Sequence, residues 1–165
     1  MSLNEMISEC LILEDKKVEY LNEYSKKYNG LSIDDIMDKL NGNDEYRNIS
    51  TRCVNLRDNI ANILNSSKLY LSGKTDEVGF LVDIAVVKKD NTYALFVYDS
   101  IEEIEEGKMY IEISYKDLRD YLINNKEIKR VIFNKDSVNA LFGKSNFIRG
   151  NMYGLLIKNK LELEY

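Results

Sequence analysis

The stretch GFLVDIAVVKKDNTYALFVY, residues 79–98, decides how this chain is read. Val, Ile, Phe and Tyr fill it, and Asp90-Asn91 interrupts it near the middle. β-branched and aromatic residues suit a pleated, packed surface. A two-residue Asp-Asn turn suits a type I′ hairpin, because both residues tolerate positive φ. With Lys89 opposite Thr92, the expected register sets Val86 against Leu95 and Ile84 against Val97 on one side. Ala85 then meets Phe96 on the other. Both faces are largely apolar, so the hairpin is expected mid-sheet with cover on each side.

Upstream the period is 3.6 rather than 2. Leu3, Ile7, Cys10, Leu11, Val18, Leu21, Tyr24 and Tyr28 recur at helical spacing. Asn29-Gly30 offers the left-handed stop that ends helices. Ser32 can cap a second, short helix with Ile33, Ile36, Met37 and Leu40 on one side and Asn41-Gly42 after it. A third helix, about 44–66, carries the cleanest row: Tyr46, Ile49, Cys53, Leu56, Ile60 and Ile63. Two readings follow, an antiparallel pairing with the first helix or a homodimer through this seam.

Downstream of the hairpin, Ser100 through Glu106 reads as a short acidic helix with Ile101 and Ile104 inward and Gly107 as its stop. Met109–Ser114 follows as a strand, and Ser114 with Asp117 starts a helix over Tyr115–Asn125 with Leu118, Tyr121 and Leu122 inward. Ile128–Asn134 is a strand, Asp136–Phe142 a helix stopped by Gly143, and the tail Asn151–Tyr165 a weak strand pair turning at Asn159-Lys160. Lys68–Ser72 is a further short strand. The fold class expected is α+β: a three-helix segment over residues 1–67, then a mixed sheet with short flanking helices over 68–165.

With 44% hydrophobic and 31% charged residues, the chain has a globular composition, not a disordered one. No stretch approaches the roughly 20 apolar residues of a membrane span, and Met1-Ser2-Leu3-Asn4-Glu5 has no signal-peptide character. A cytoplasmic location without membrane attachment is the expectation. The net charge of −5 argues against nucleic acid as the main partner. The sign reverses late, where residues 126–160 hold eight basic side chains against Glu127 and Asp136. Lys129, Arg130 and Lys135, flanking the Ile128–Asn134 strand, are read as a positive rim for an acidic protein surface or an anionic ligand.

The chain holds no histidine, which removes imidazole metal sites and His-based acid–base or triad catalysis. Cys10 and Cys53 are far apart, without a His partner, and read as reduced and packed. Gly73-Lys74-Thr75 and Gly143-Lys144-Ser145 echo the end of a phosphate loop, but the first glycine of that loop is replaced by Lys68 and Val138. Glu102, Glu103, Glu105 and Glu106 splay around a short helix instead of converging on a cation. No cofactor is expected. Twelve tyrosines are present. Tyr20, Tyr24 and Tyr28 form a stripe that suits either a partner surface or the flank of the helical seam.

Residues 79–142 resemble the N-terminal domain of the SseB family, named for enhanced serine sensitivity. The resemblance rests on Tyr93-Ala94-Leu95-Phe96-Val97-Tyr98-Asp99-Ser100 running into the acidic stretch Ile101–Glu106. It continues through a strand, the helix Lys116-Asp117-Leu118-Arg119-Asp120-Tyr121-Leu122, and Val131-Ile132-Phe133-Asn134. Lys135 stands where that family carries a proline, and residues 1–67 lie outside the resemblance. It implies an α+β fold and a regulatory or adaptor role without catalytic residues. Binding of another protein is the leading expectation. A toxin-neutralising immunity protein, or a small-ligand sensor or enzyme with carboxylate or Lys/Tyr chemistry, are the alternatives.

Overall fold

The computed structural model describes residues 1–150 and 156–165. The chain is α+β and divides into two compact units, Met1–Asn59 and Ile60–Tyr165. The division falls inside a helix, not after Ser67 where the change of period puts it.

The first unit holds α1 (Leu3–Lys27), α2 (Ile33–Asn41) and most of α3 (Asp44–Ser66). Ser2 caps α1 in a full capping box with Glu5, and the Ser32 hydroxyl accepts from the Asp35 N–H at the start of α2. Gly30 takes the positive φ foreseen for it, at +96°, whereas Gly42 ends α2 in an ordinary right-handed conformation. Ile36, Leu40 and Tyr46 form a small core against which Tyr20, Leu21, Tyr24 and Met37 pack. Glu9 on α1 pairs with Arg52 on α3 (2.8 Å), and Glu14 with the buried Arg57 (3.0 Å). The α1 stripe is narrower than its sequence pattern, because Val18 is exposed.

In the second unit, β1 (Lys68–Thr75), β2 (Phe80–Val82) and β5 (Met109–Ser114) form a three-stranded sheet in the order β2-β1-β5. A six-stranded sheet takes the order β8-β7-β6-β4-β3-β9, from β3 (Ile84–Val87), β4 (Tyr93–Val97), β6 (Ile128–Phe133), β7 (Ala140–Gly143), β8 (Leu156–Lys158) and β9 (Leu163–Glu164). The expected strand over 79–88 is thus two strands. The chain changes sheets at Asp83, whose N–H donates to the Ser72 carbonyl while its carboxylate takes Ser72 Oγ and Lys108 Nζ, each at 2.9 Å. A Tyr70–Tyr98 bridge joins the sheets a second time.

The hairpin is mid-sheet as expected, but its register is Ile84 opposite Leu95, Ala85 opposite Ala94 and Val86 opposite Tyr93. The shift is two residues, which keeps every side chain on its foreseen face. The turn is longer because only Asn91 takes positive φ, at 56°, so a type I′ turn does not form. Asp90 instead accepts from the Thr92 N–H and hydroxyl and is held by Arg130.

One face of the large sheet, with Phe96, Ile132 and Leu141, is covered by Leu161 and Leu163 of the tail. On the other face Phe133, Phe142 and Phe147 meet ring to ring, with Tyr115 on Phe147. Phe147 belongs to α5 (Lys144–Arg149) and Tyr115 to α4 (Tyr115–Asn124), so these helices supply the cover. Ser114 caps α4 through Asp117 N–H, as its sequence indicates. The tail does not fold back at Asn159-Lys160: β8 pairs with β7 and β9 with β3, at opposite edges. Its residues 151–155 lie outside the described residues. Five strand spacings of about 4.8 Å would separate those edges by about 24 Å in a flat sheet. The five residue steps from Lys158 to Leu163 reach at most about 18 Å. The sheet is therefore curled.

Two further expectations fail locally. Residues 136–142 are not a helix: Asn134 and Asn139 take positive φ (45° and 47°) and close a tight turn between β6 and β7. Gly143 then starts α5 with extended backbone instead of stopping a helix. The acidic stretch is a single 3₁₀ turn, Ile101–Glu103, with no side-chain cap from Ser100, so Ile104 is buried but Ile101 is exposed. Among the described residues no helix is long and apolar enough to cross a membrane.

Candidate partner-binding surface

The three late basic residues do not form one rim. Lys129 and Arg130 lie near the start of β6 and Lys135 beyond its end, with about 10–13 Å of strand between them and Phe133 at about 3.3 Å per residue. The β4–β6 pairing skips Lys129, with Tyr93 opposite Ile128 and Ala94 opposite Arg130, so Lys129 sits at an irregularity in the ladder and Arg130 within it. Arg130 is engaged: its Nη2 lies 2.8 Å from Asp90 Oδ2 and its Nη1 2.8 Å from Thr92 Oγ1. That contact holds the Asp90 carboxyl well below the usual carboxylate range, with the Thr92 bonds assisting. Lys135 sits 4.9 Å from the Phe96 ring centroid and 5.6 Å from that of Tyr165, whose ring stacks on Phe96. These rings, with Asn139, Asn159 and Leu161, line a shallow cleft of about 330 Å³. Lys144 of the same basic segment donates to the Asn125 carbonyl at 2.9 Å. Burial, and then the charge of Lys129, lower its pKa.

The tyrosine stripe serves the first unit internally. Tyr20 meets Tyr46 edge-on at 5.9 Å, and a hydrogen bond to the Glu45 carboxylate pushes its phenol up to about 12. Tyr24 accepts from Asn43 Nδ2 at 3.1 Å, and Tyr28 lies under Lys39 at 4.5 Å. All three are half-buried. The helical seam is covered within one chain as well: Tyr46, Ile49, Cys53, Leu56 and Ile60 are buried, and Leu64 replaces the half-buried Ile63 at its end. Cys10 and Cys53 are free thiols in the interior, and burial, helped by Glu14, pushes Cys53 up to about 12.

The strand Met109–Ser114 forms as its sequence indicates, but what sequence reasoning missed is its open edge. β5 lies at an edge of its sheet, and Met109 (52%), Tyr110 (44%) and Ile111 (37%) are exposed. Its pairing with β1 runs without a bulge from Lys68–Ser114 to Gly73–Met109, so one row of backbone groups bonds β1 and the other faces away. The register puts Met109, Ile111 and Ile113 on the face of Leu69 and Leu71, and Tyr110 and Glu112 on the face of Tyr70. Tyr70 touches both, with its ring 6.1 Å from Tyr110 and its hydroxyl 3.4 Å from Glu112.

Directly before β5, the 3₁₀ turn and the Glu105–Lys108 turn enclose a cleft of about 420 Å³. Ile101, Ile104 and Tyr110 give it apolar walls, and Glu102, Glu105 and Glu106 give it carboxylates. Lys108 also borders it, but its ammonium is paired with Asp83, so the cleft is acidic. The outward turn of Ile101 makes this cleft.

The two phosphate-loop echoes have structural explanations. Gly73 lies in β1 under the Phe80 ring, and Gly143 lies at the end of β7. Among the described residues no three acidic or thiol groups converge where a metal ion could be held. Compared with protein-family models, curated proteins and solved structures, the chain matches none.

Proposed function

We propose that this chain is a non-enzymatic protein-binding module, a regulator or adaptor of SseB-like type acting in the cytoplasm. One observation carries the reading: an edge strand with three exposed large apolar side chains borders an apolar-walled cleft. Exposed apolar surface of this kind is costly to keep in water and marks interaction sites. A photo-crosslinking amino acid placed at Ile111 in the native cell should give a discrete protein adduct, and one at the exposed Lys16 of α1 should not. Equal labelling from both positions, or none from Ile111, would sink the proposal. A second reading, a toxin-neutralising immunity protein, is favoured by Glu102, Glu105 and Glu106, which would oppose a basic partner. A homodimer through the α3 seam forms no part of the proposal, because that row is already covered within one chain.

A further inference from the structure

The geometry points to a specific occupant for this surface: we infer that β5 accepts an extended basic segment of a partner protein as an added strand. The inference rests on the protein-binding reading above and deepens it.

Edge strands are normally guarded by Lys, Pro, a bulge or brevity. Met109-Tyr110-Ile111-Glu112-Ile113-Ser114 has six residues, one charge, no proline and a regular register. Its outward row of N–H and C=O groups is a template for another strand, with main-chain bonds giving affinity and alternate side chains giving selectivity. The two faces of β5 then dictate the visitor. On the Tyr110–Glu112 face, an added strand runs beside the cleft with Glu102, Glu105 and Glu106, none of which forms an ion pair among the described residues. Alternate residues on that side should be Lys or Arg. On the other face the visitor meets Met109, Ile111 and Ile113, so the residues between should be apolar. The occupant is thus an alternating basic–apolar segment. A second copy of this chain is disfavoured, since antiparallel self-pairing of β5 would bring Glu112 and two acidic clefts together in a chain of net charge −5.

The test uses the full chain and a capped hexapeptide, Lys-Val-Lys-Val-Lys-Val, followed by calorimetry and backbone amide shifts. The peptide should bind saturably, with shifts confined to residues 101–114, and added salt should weaken it. Replacing its lysines by glutamate, or methylating the amide nitrogens of alternate residues, should each weaken binding at least tenfold. The exposed double variant Glu105→Lys/Glu106→Lys, checked for an unchanged melting temperature, should weaken it similarly and flatten the salt dependence. Absence of binding, shifts centred elsewhere, indifference to amide methylation, or dimerisation through β5 overturns the inference. If the peptide fails while the Ile111 crosslinker still captures a partner, strand addition is wrong and the protein-binding reading survives. If both fail, both fall.

Discussion

Asn134 is where the fold can be tested most sharply. It is fully buried, holds positive φ (45°), and ties the end of β6 to the end of β4. Its N–H donates to the Val97 carbonyl at 2.9 Å, its Nδ2 to Asp99 Oδ1 at 3.0 Å, and its Oδ1 accepts from the Asp99 N–H at 3.2 Å. Its carbonyl accepts from the N–H groups of Ser137 and Asn139, which closes the turn into β7. Asn134→Ala keeps the backbone bonds but deletes the two side-chain bonds to Asp99 at about 1 kcal/mol each. It also forces alanine into the left-handed region at about 1 kcal/mol. The expected loss is about 3 kcal/mol, a large share of the roughly 5–15 kcal/mol that holds a domain together.

Two companion variants separate the contributions. Asn134→Gly removes the side-chain bonds but tolerates the backbone, so it should lose about 2 kcal/mol. Asn134→Asp keeps the acceptor for the Asp99 N–H but sets a second carboxylate against Asp99. Burial and like charge raise the pKa of the introduced group, so its deficit should be smallest below about pH 4 and grow as the pH rises. Urea unfolding with a constant slope measures all three. Equal losses for the alanine and glycine variants would refute the backbone argument, and a loss under about 0.5 kcal/mol for either would refute the hydrogen-bond argument.

Gly73→Ala should cost about 1–3 kcal/mol and loosen β2 first, because a Cβ there would collide with the Leu81 carbonyl and lie 2.7 Å from Phe80 Cζ; unchanged exchange protection in β2 would contradict this. Asp90 has a depressed folded pKa, so its contribution is whole above about pH 4 and is lost as the pH falls below that, toward the depressed folded pKa. Melting temperature between pH 2 and 6 should therefore fall less steeply in Asp90→Asn than in the parent, and parallel curves would dismiss the Arg130 contact. Cys10 and Cys53 should react slowly with thiol reagents in the native state and rapidly in denaturant, since both are buried with raised pKa values; rapid native labelling of both would deny their burial.

Where a local pattern was long, it was legible. The row from Tyr46 to Ile60 revealed α3, expected at about 44–66 and found over Asp44–Ser66, and Ser114 with Asp117 marked the start of α4, because a periodic row and a cap are local facts. Val138, Leu141 and Phe142 satisfy helical spacing equally well, yet they lie in a turn and a strand. The deciding signal was the pair Asn134 and Asn139, two residues suited to positive φ at either end of that turn. The destinations of β8 and β9 had no local signal at all. Their partners, β7 and β3, are set by the curl of the sheet and by the length of chain available to cross it.

The same distinction governs the candidate surface. Counted along the sequence, residues 126–160 are the charged feature and 101–106 an ordinary acidic face. Folding reverses their importance. Arg130 is engaged by Asp90 and Thr92, Lys144 by a carbonyl, and Lys135 by two aromatic rings, while Lys129 stands apart at the start of β6. Glu102, Glu105 and Glu106 keep their carboxylates at one cleft, because three residues of 3₁₀ helix turn Ile101 outward and leave Ile104 alone to anchor the loop. A partner senses the charges that remain unpaired and the direction in which they face, not their tally along the chain. Edge position is likewise a property of strand order: β5 is open because it ends the order β2-β1-β5, with β1 on one side and no strand of the described residues on the other, which no residue of β5 encodes. The attraction of this surface for basic, extended chains is therefore created by the fold, from residues whose sequence reads as solvated helix and ordinary strand.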